Sequence, residues 1–354
     1  MYNLSDIRSI HLEPTSKCQA RCPQCGRFDF SDTGKVNKIN PLIKDRNGKS
    51  GCLDQIDFAD FVKWFSPEFI SQLNCLYMCG TAGEPTLADD CLKIFAYLRL
   101  NNPKMRLSIH TNGGCKPKEW WVKLAKLKVK AVFGIDGLED THSLYRVNTN
   151  WRKIIENARA FIDAGGDAEW QMLVFKHNEH QIYKCMKLSK MLGFKSFRCQ
   201  HTTRFSENNY LQQPVYNPKG EITHYLQPSS VSLQNYEKVE STLLDSNSTK
   251  QTIDCIVKKE KELYIAANGD VLPCCHMESC FIYSGEDIED YKKKINIKPN
   301  LHRQTLKEIF DSSYFRKIQS TWSKDPLTVC SRTCGKNENS WKKTTENQSE
   351  TTTF

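Results

Sequence analysis

From residue 8 to about residue 200, short apolar or β-branched runs alternate with longer segments whose apolar residues recur at helical spacing. The runs at 8–12, 75–79, 106–110, 131–136, 169–175 and 196–200 read as strands. Between them, 58–73, 89–100, 117–128, 151–164 and 181–192 read as amphipathic helices, and Gly165 and Gly193 stand where two of these would end. A regular strand-then-helix order predicts an α/β fold of parallel strands wrapped by helices, as an open or a barrel-like sheet.

Two polar stretches interrupt this order. Residues 27–51 are rich in Asp, Asn, Lys and Gly and read as an insertion, while 205–250 is rich in Asn, Ser and Gln and carries Pro214, Pro218 and Pro228. Past the second stretch, 263–267 and 270–272 flank Asn268-Gly269, a hairpin signal, and 305–321 reads as a helix. The expected organisation is therefore a domain over 1–205, a polar linker or insertion over 206–250, a small α+β domain over 251–335 and a disordered tail over 336–354.

Composition narrows the chemistry. The chain is long enough for a large core, and no run approaches the roughly 18 apolar residues of a membrane span. Asp6 and Arg8 fall where a secretion signal needs an apolar stretch, so the expected location is the cytoplasm and no membrane partner is expected. In that reducing setting, the clustered ones among sixteen cysteines read as metal ligands rather than disulfides. The net charge of +9 is compatible with an anionic partner such as nucleic acid, but Lys and Arg are spread along the whole chain and a solvated surface accounts for them.

Directly after the first expected strand comes Glu13-Pro14-Thr15-Ser16-Lys17-Cys18-Gln19-Ala20-Arg21-Cys22-Pro23-Gln24-Cys25, a C-x3-C-x2-C arrangement. A turn this tight aims three thiolates at one centre, and three local cysteines leave one iron of a 4Fe-4S cluster open for chemistry. A structural zinc knuckle is the alternative. The spacing and its position resemble the radical S-adenosylmethionine (SAM) superfamily. That resemblance implies that Cys18, Cys22 and Cys25 are the catalytic metal ligands, holding a cluster whose free iron binds SAM and cleaves it reductively to a 5′-deoxyadenosyl radical.

The ends of the later strands extend the resemblance, because sites in parallel α/β folds form at carboxyl strand ends. Gly80-Thr81-Ala82-Gly83-Glu84-Pro85 resembles the family's Gly-Gly-Glu-Pro segment, implying that Gly80, Gly83, Glu84 and Pro85 meet the SAM amino group. Thr111, Asn112 and Gly113 resemble its Thr-Asn-Gly turn near the ribose. Gly134-Ile135-Asp136-Gly137, with His142 and Arg146 beyond, resembles its Ser-x-Asp-Gly segment, and implies SAM contacts for Asp136 and Arg146. The chain departs from the family at Gln24, where many members carry an aromatic or His residue against adenine, and at Gly134, where many have Ser.

Four further thiols, Cys255, Cys274, Cys330 and Cys334, fall in the small C-terminal region. Their spacing resembles the twitch domain, the shorter relative of the SPASM domain, and implies one auxiliary 4Fe-4S cluster closed by four ligands; a zinc site with the same ligands is the alternative. Cys275 and Cys280 are candidate substitutes, whereas Cys79 and the remaining cysteines read as buried residues. Altogether the resemblance implies a partial, six-stranded (β/α)6 TIM-like barrel with an auxiliary-cluster domain. It also implies an oxidoreductase or modifying enzyme that acts on a peptide or small metabolite and draws on a one-electron reductant such as flavodoxin or ferredoxin. The competing expectation is a zinc-stabilised basic nucleic-acid-binding module without catalysis.

Overall fold

The computed structural model describes residues 3–28, 38–202, 204–205, 211–217, 219–231, 252–283, 285–336 and 349–354. Parts of the expected insertion (29–37), linker (206–210, 218 and 232–250) and tail (337–348) lie outside the described residues. The chain divides into two compact units. The first joins Met1–Lys17, Ile39–Ser108 and Lys250–Ser340, and the second joins Cys18–Lys38, Ile109–Thr249 and Trp341–Phe354.

In chain order the described strands are β1 (Ser9–Leu12), β2 (Cys75–Met78), β3 (Arg106–Thr111), β4 (Val129–Gly134), β5 (Ala168–Val174), β6 (Ser196–His201), β7 (Gln213–Tyr216), β8 (Ile222–Leu226), β9 (Thr252–Ile253), β10 (Glu262–Ile265), β11 (Val271–Leu272), β12 (Gly335–Lys336) and β13 (Ser349–Thr353). β1 to β6 are the six strands expected from sequence, and the division between the units falls within β3.

In the first unit, β1 lies between β2 and β10 and runs parallel to both, while β11 pairs antiparallel with β10 across the Asn268-Gly269 turn. The register sets Ile10 beside Leu76 and Leu263, and Leu12 beside Met78 and Ile265; all six side chains are buried on one face. The opposite face carries Ser9, His11, Tyr77, Glu262 and Tyr264. Parallel sheets are usually apolar on both faces, so this polar face marks the sheet for function. The segment expected as one helix over 58–73 is two, Phe58–Trp64 and Pro67–Ser71, because Ser66 caps the second and Pro67 occupies its first turn. The expected 305–321 helix likewise breaks into Leu306–Asp311 and Tyr314–Thr321, the former opened by a Thr305–Glu308 capping box.

In the second unit, β4, β5 and β6 are parallel and are backed by helices Lys118–Lys126 and Trp151–Asp163, which pack on each other. Trp121, Phe133 and Phe161 fill the space between them, with ring centroids 5.2 and 6.0 Å apart along that chain. Trp170 is also core, its Nε1 donating to the Ile135 carbonyl at 2.8 Å. Two findings differ from the sequence expectation. Within the expected linker, β7 and β8 form a hairpin whose turn is organised by Asn217 Oδ1 accepting from Lys219 N and Glu221 N. Within the tail expected to be disordered, β13 pairs antiparallel with β6, because its run of threonines suits a strand and β6 offers an edge.

Candidate active site and cluster-binding thiols

Cys18, Cys22 and Cys25 lie together in the second unit, in a segment turned back on itself by Cys25 N donating to Cys22 O at 3.0 Å. The stretch after the short helix His142–Tyr145 fixes this segment: Arg21 N donates to Val147 O at 2.9 Å and Asn148 Nδ2 to Gln19 O at 2.7 Å. Ala20 and Cys22 pack among Tyr145, Phe175, Phe205 and Leu226, with Cys18 and Cys25 against the edge of that cluster.

Two polar side chains, one just past β3 and one at the end of the helix His142–Tyr145, reach the sulfurs. Asn112 Nδ2 is 3.8 Å from Cys18 Sγ, and Arg146 Nη1 is 3.9 Å from Cys22 Sγ. Burial holds the Cys22 thiol above its usual range, and the Arg146 guanidinium pulls it back toward thiolate. Asn112 is oriented in turn by Gln19 Nε2 and Gly114 N, both donating to its Oδ1, at 2.7 and 2.9 Å. Thr111 Oγ1 accepts from Gly113 N at 2.9 Å. Gly113 has φ +68°, and a Cβ there would stand 2.8 Å from the Phe133 ring, so the turn requires glycine.

Asp136 is fully buried and turned toward Arg146, whose Nε donates to its Oδ2 at 2.6 Å, while Leu173 N donates to its Oδ1 at 2.6 Å. Both carboxylate oxygens are engaged, so Asp136 aims Arg146 at the cysteine segment. Burial alone would lower the Arg146 pKa, but Asp136 and then Cys22 keep it well above its ordinary value. The Gly134 departure has a spatial reason: a Cβ there would lie 2.7 Å from Arg146 Nη2. At the Gln24 departure, Arg204 Nη1 donates to the Gln24 carbonyl at 2.8 Å. His142 is neutral, its pKa pushed down to about 3 by burial and Arg146, and its Nδ1 accepts from Asp136 N at 3.1 Å.

In the first unit, residues 80–85 fold into a loop so tight that positions 80 and 83 exclude a side chain. A Cβ on Gly80 would stand 2.0 Å from the Gly83 carbonyl oxygen, and one on Gly83 would stand 1.6 Å from that of Thr15. The glycines thus bring the loop against the chain's own backbone. Glu84 N donates to Lys17 O at 2.8 Å, and the Glu84 carboxylate accepts from Thr86 N and Oγ1. Pro85 opens the 3-10 turn Pro85–Leu87. No role for Glu13 is legible in the sequence, yet its buried carboxylate accepts from Ala82 N at 2.7 Å, Gly83 N at 3.0 Å and the Tyr264 hydroxyl at 2.6 Å. An acid at the carboxyl end of a strand was the available signal. No described residue donates to the backbone carbonyls of Gly80, Thr81, Ala82 or Gly83. With two of its N–H groups taken by Glu13, the loop has acceptors left to offer, which is what an ammonium group needs.

The C-terminal thiols also gather in the first unit. β9 and β12 pair antiparallel and carry Cys255 and Cys334 toward each other; a thiol–thiol hydrogen bond with Cys334, then burial, holds the Cys255 pKa far above its usual range. Cys330 and Cys334 are one turn apart on the helix Thr328–Cys334, which packs against Cys275–Tyr283. Cys274 is held up by burial and by Cys275 and Cys334, and Cys330 is pushed up to about 12 by burial, then by Cys274 and Cys334. Cys275 instead feels Cys79, Glu262 and Glu13, and Cys280 accepts from Arg332 Nη2 at 3.1 Å. Cys79, expected as a buried core residue, is only half-buried, and desolvation, then Glu13 and Glu84, push its thiol up to about 12.

Among the described residues, none of the sixteen cysteines is joined in a disulfide. Three thiols in one turn and four more in one small region make a donor set whose chemistry suits iron–sulfur clusters. Among the described residues, no three His, Cys, Asp or Glu side chains crowd round a single-ion point; a cluster spreads its thiolates over separate irons. Nor, among those residues, is any helix long and apolar enough to cross a membrane.

Comparison with known proteins agrees with this geometry. Residues 12–189 match the radical SAM superfamily, and 255–335 match the SPASM iron–sulfur cluster-binding domain. No curated protein matches the chain. Among solved structures it is similar to Streptococcus suis SuiB bound to the precursor peptide SuiA, at 16% identity and TM-score 0.54 over 95% of this chain and 69% of that one. It is also similar to native anSMEcpe with bound AdoMet, at 18% identity and TM-score 0.52 over 87% of this chain and 82% of that one. A further SuiB structure gives 15% identity and TM-score 0.51 over 91% of this chain, which spans 66% of that protein's length. At such identities the likeness shows the fold, a mixed α/β architecture with an open, mainly parallel sheet. The match over residues 12–189 includes the cysteine segment and the two side chains, Asn112 and Arg146, that meet it, and the chain belongs to the radical SAM superfamily, with a C-terminal SPASM-type iron–sulfur domain.

Proposed function

We propose that the chain cleaves SAM reductively at a 4Fe-4S cluster held by Cys18, Cys22 and Cys25 and abstracts hydrogen from a peptide or small metabolite. The observation that carries this reading is the pair of polar side chains, Asn112 from the end of β3 and Arg146 from the end of the helix His142–Tyr145, brought onto Cys18 and Cys22. When bound, the cluster and SAM supply the electron and the 5′-deoxyadenosyl radical. The protein supplies ligation and aim. Arg146 favours the Cys22 thiolate, and Asp136 holds Arg146 in place. The open carbonyls of residues 80–83 suit the SAM amino group, and Thr111, Asn112 and Gly113 make a rigid turn that suits its ribose.

Cys255, Cys274, Cys330 and Cys334 are the ligands we assign to the auxiliary cluster, whose four thiolates suit it to electron transfer rather than substrate ligation. The corresponding domain assignment is a barrel over 1–205 and a cluster domain over 251–335. A peptide is the first substrate class to try, since SuiB, a protein of this fold, was crystallised with a precursor peptide. A flavodoxin or ferredoxin suits the reductant, and a reducing cytoplasm suits sixteen cysteines outside disulfides.

The test is anaerobic reconstitution followed by dithionite and SAM, with 5′-deoxyadenosine measured. Wild type should form it and Cys22→Ala should not. Cys330→Ala should retain some SAM cleavage while losing about half of the bound iron, one of two four-iron clusters. Zinc in place of iron, or full cleavage by Cys22→Ala, would sink the assignment.

A further inference from the structure

Glu13 stands where β1, β10 and the 80–85 loop meet. Its backbone N donates to Ile265 O at 2.9 Å, and the residue is 3% exposed. One carboxylate oxygen accepts from two consecutive loop amides, Ala82 and Gly83, and the other from the Tyr264 hydroxyl. The Tyr264 oxygen is also 3.2 Å from Thr81 Oγ1, so this one phenol reaches both the loop and the acid that holds it. Tyr264 itself is fully buried and belongs to β10, from the C-terminal region, 251 residues beyond Glu13 in sequence.

We propose that Glu13 and Tyr264 are positioning residues for SAM, through which the C-terminal iron–sulfur region helps to set SAM affinity. The inference rests on the reading of residues 80–85 as the SAM loop. Its physical content is preorganisation. Held by Glu13 at Ala82 and Gly83 and by Lys17 O at Glu84 N, the loop keeps its carbonyls arrayed before a ligand arrives, so binding does not have to order them. A hydrogen bond to a buried carboxylate is among the stronger kinds, and removing the phenol oxygen leaves the acid without one donor and Thr81 without its contact. Neither residue touches SAM on this account; both act through the loop.

The test uses the full chain with its clusters reconstituted. SAM binding is measured by anaerobic equilibrium dialysis, alongside iron content, thermal midpoint and the initial rate of 5′-deoxyadenosine formation against SAM concentration. The near-isosteric Tyr264→Phe should raise the SAM Kd about five- to tenfold, a coupling of ordinary size between two sites. Its rate at saturating SAM should stay near wild type, so the change falls on KM rather than kcat. Glu13→Ala should weaken SAM more than Glu13→Gln, because glutamine keeps an oxygen for Ala82 and Gly83. SAM Kd values within twofold of wild type for folded Tyr264→Phe and Glu13→Gln would overturn the inference, as would a fall confined to kcat. Glu84→Ala separates this from the underlying reading. If it weakens SAM while Tyr264→Phe does not, the positioning pair is wrong and the loop assignment stands. If none of the loop, Glu13 or Tyr264 variants changes SAM binding, the loop assignment itself fails.

Discussion

A Cβ on Gly83 would sit 1.6 Å from the Thr15 carbonyl oxygen, backbone against backbone, so the strand end of β1 and the 80–85 loop cannot both stay in place with any other residue there. Gly83→Ala should lower stability on the order of 2–4 kcal/mol, read as a lowered denaturation midpoint, or fail to fold; a wild-type midpoint would mean the loop is not held this way. The acids beside it carry a pH signature. Burial pushes Glu13 up to about 7 against the hydrogen bonds from Tyr264 and Ala82, and pushes Glu262 up to about 7 against the hydrogen bond from Tyr77. Facing Glu13 are Tyr264 from β10, Glu278 from the following helix, and the Cys79 and Cys275 thiols, all neutral or negative, so none offsets its charge. A carboxyl raised above its unfolded value of 4.5 contributes stability that is fully present below that value and lost as pH rises through about 7. Wild type should therefore lose stability between about pH 5 and pH 8, and Glu13→Gln should lose less of it over that window. An equal slope for both in chemical denaturation would show that Glu13 does not titrate there.

At the scale of elements, the strands that were legible in the sequence were those written by local period. β1 to β6 and the helices between them follow from apolar spacing within a few residues. The breaks at Ser66-Pro67 and Ser312-Ser313 were missed because the apolar spacing runs through both, although Ser66 and Pro67 are themselves start signals. β13 was missed for a different reason. A polar threonine run has strand propensity but no apolar pattern, and only an available edge on β6 makes it a strand. Deleting residues 349–354 should therefore expose that edge, lower the thermal midpoint by a few degrees and raise the tendency to aggregate. An unchanged midpoint with no added light scattering would show that β13 adds nothing to the sheet.

For the whole molecule, seven proposed ligands couple metal to folding. The pKa values of Cys22, Cys255, Cys274 and Cys330 are all raised in this structure, so the thiols are neutral until metal drives off their protons, and cluster binding stabilises the native state. Iron-stripped protein should unfold at lower denaturant than reconstituted protein, and equal midpoints would mean that the clusters are not bound by folded chain.

The sequence alone determined where the thiols stand in each set, where β1 to β6 and the helices between them lie, and which turns need glycine, because each depends on residues a few positions apart. Tertiary structure decided the rest: that β10 lies beside β1, that Arg146 is aimed at Cys22 by Asp136, that Cys274 rather than Cys275 faces Cys334, and that Tyr264 closes on Glu13. These meetings join distant parts of the chain. The meetings of β10 with β1 and of Tyr264 with Glu13 follow from burying one apolar face of a sheet in a single register, which no local pattern encodes, and that register leaves the polar face where the chemistry can be built.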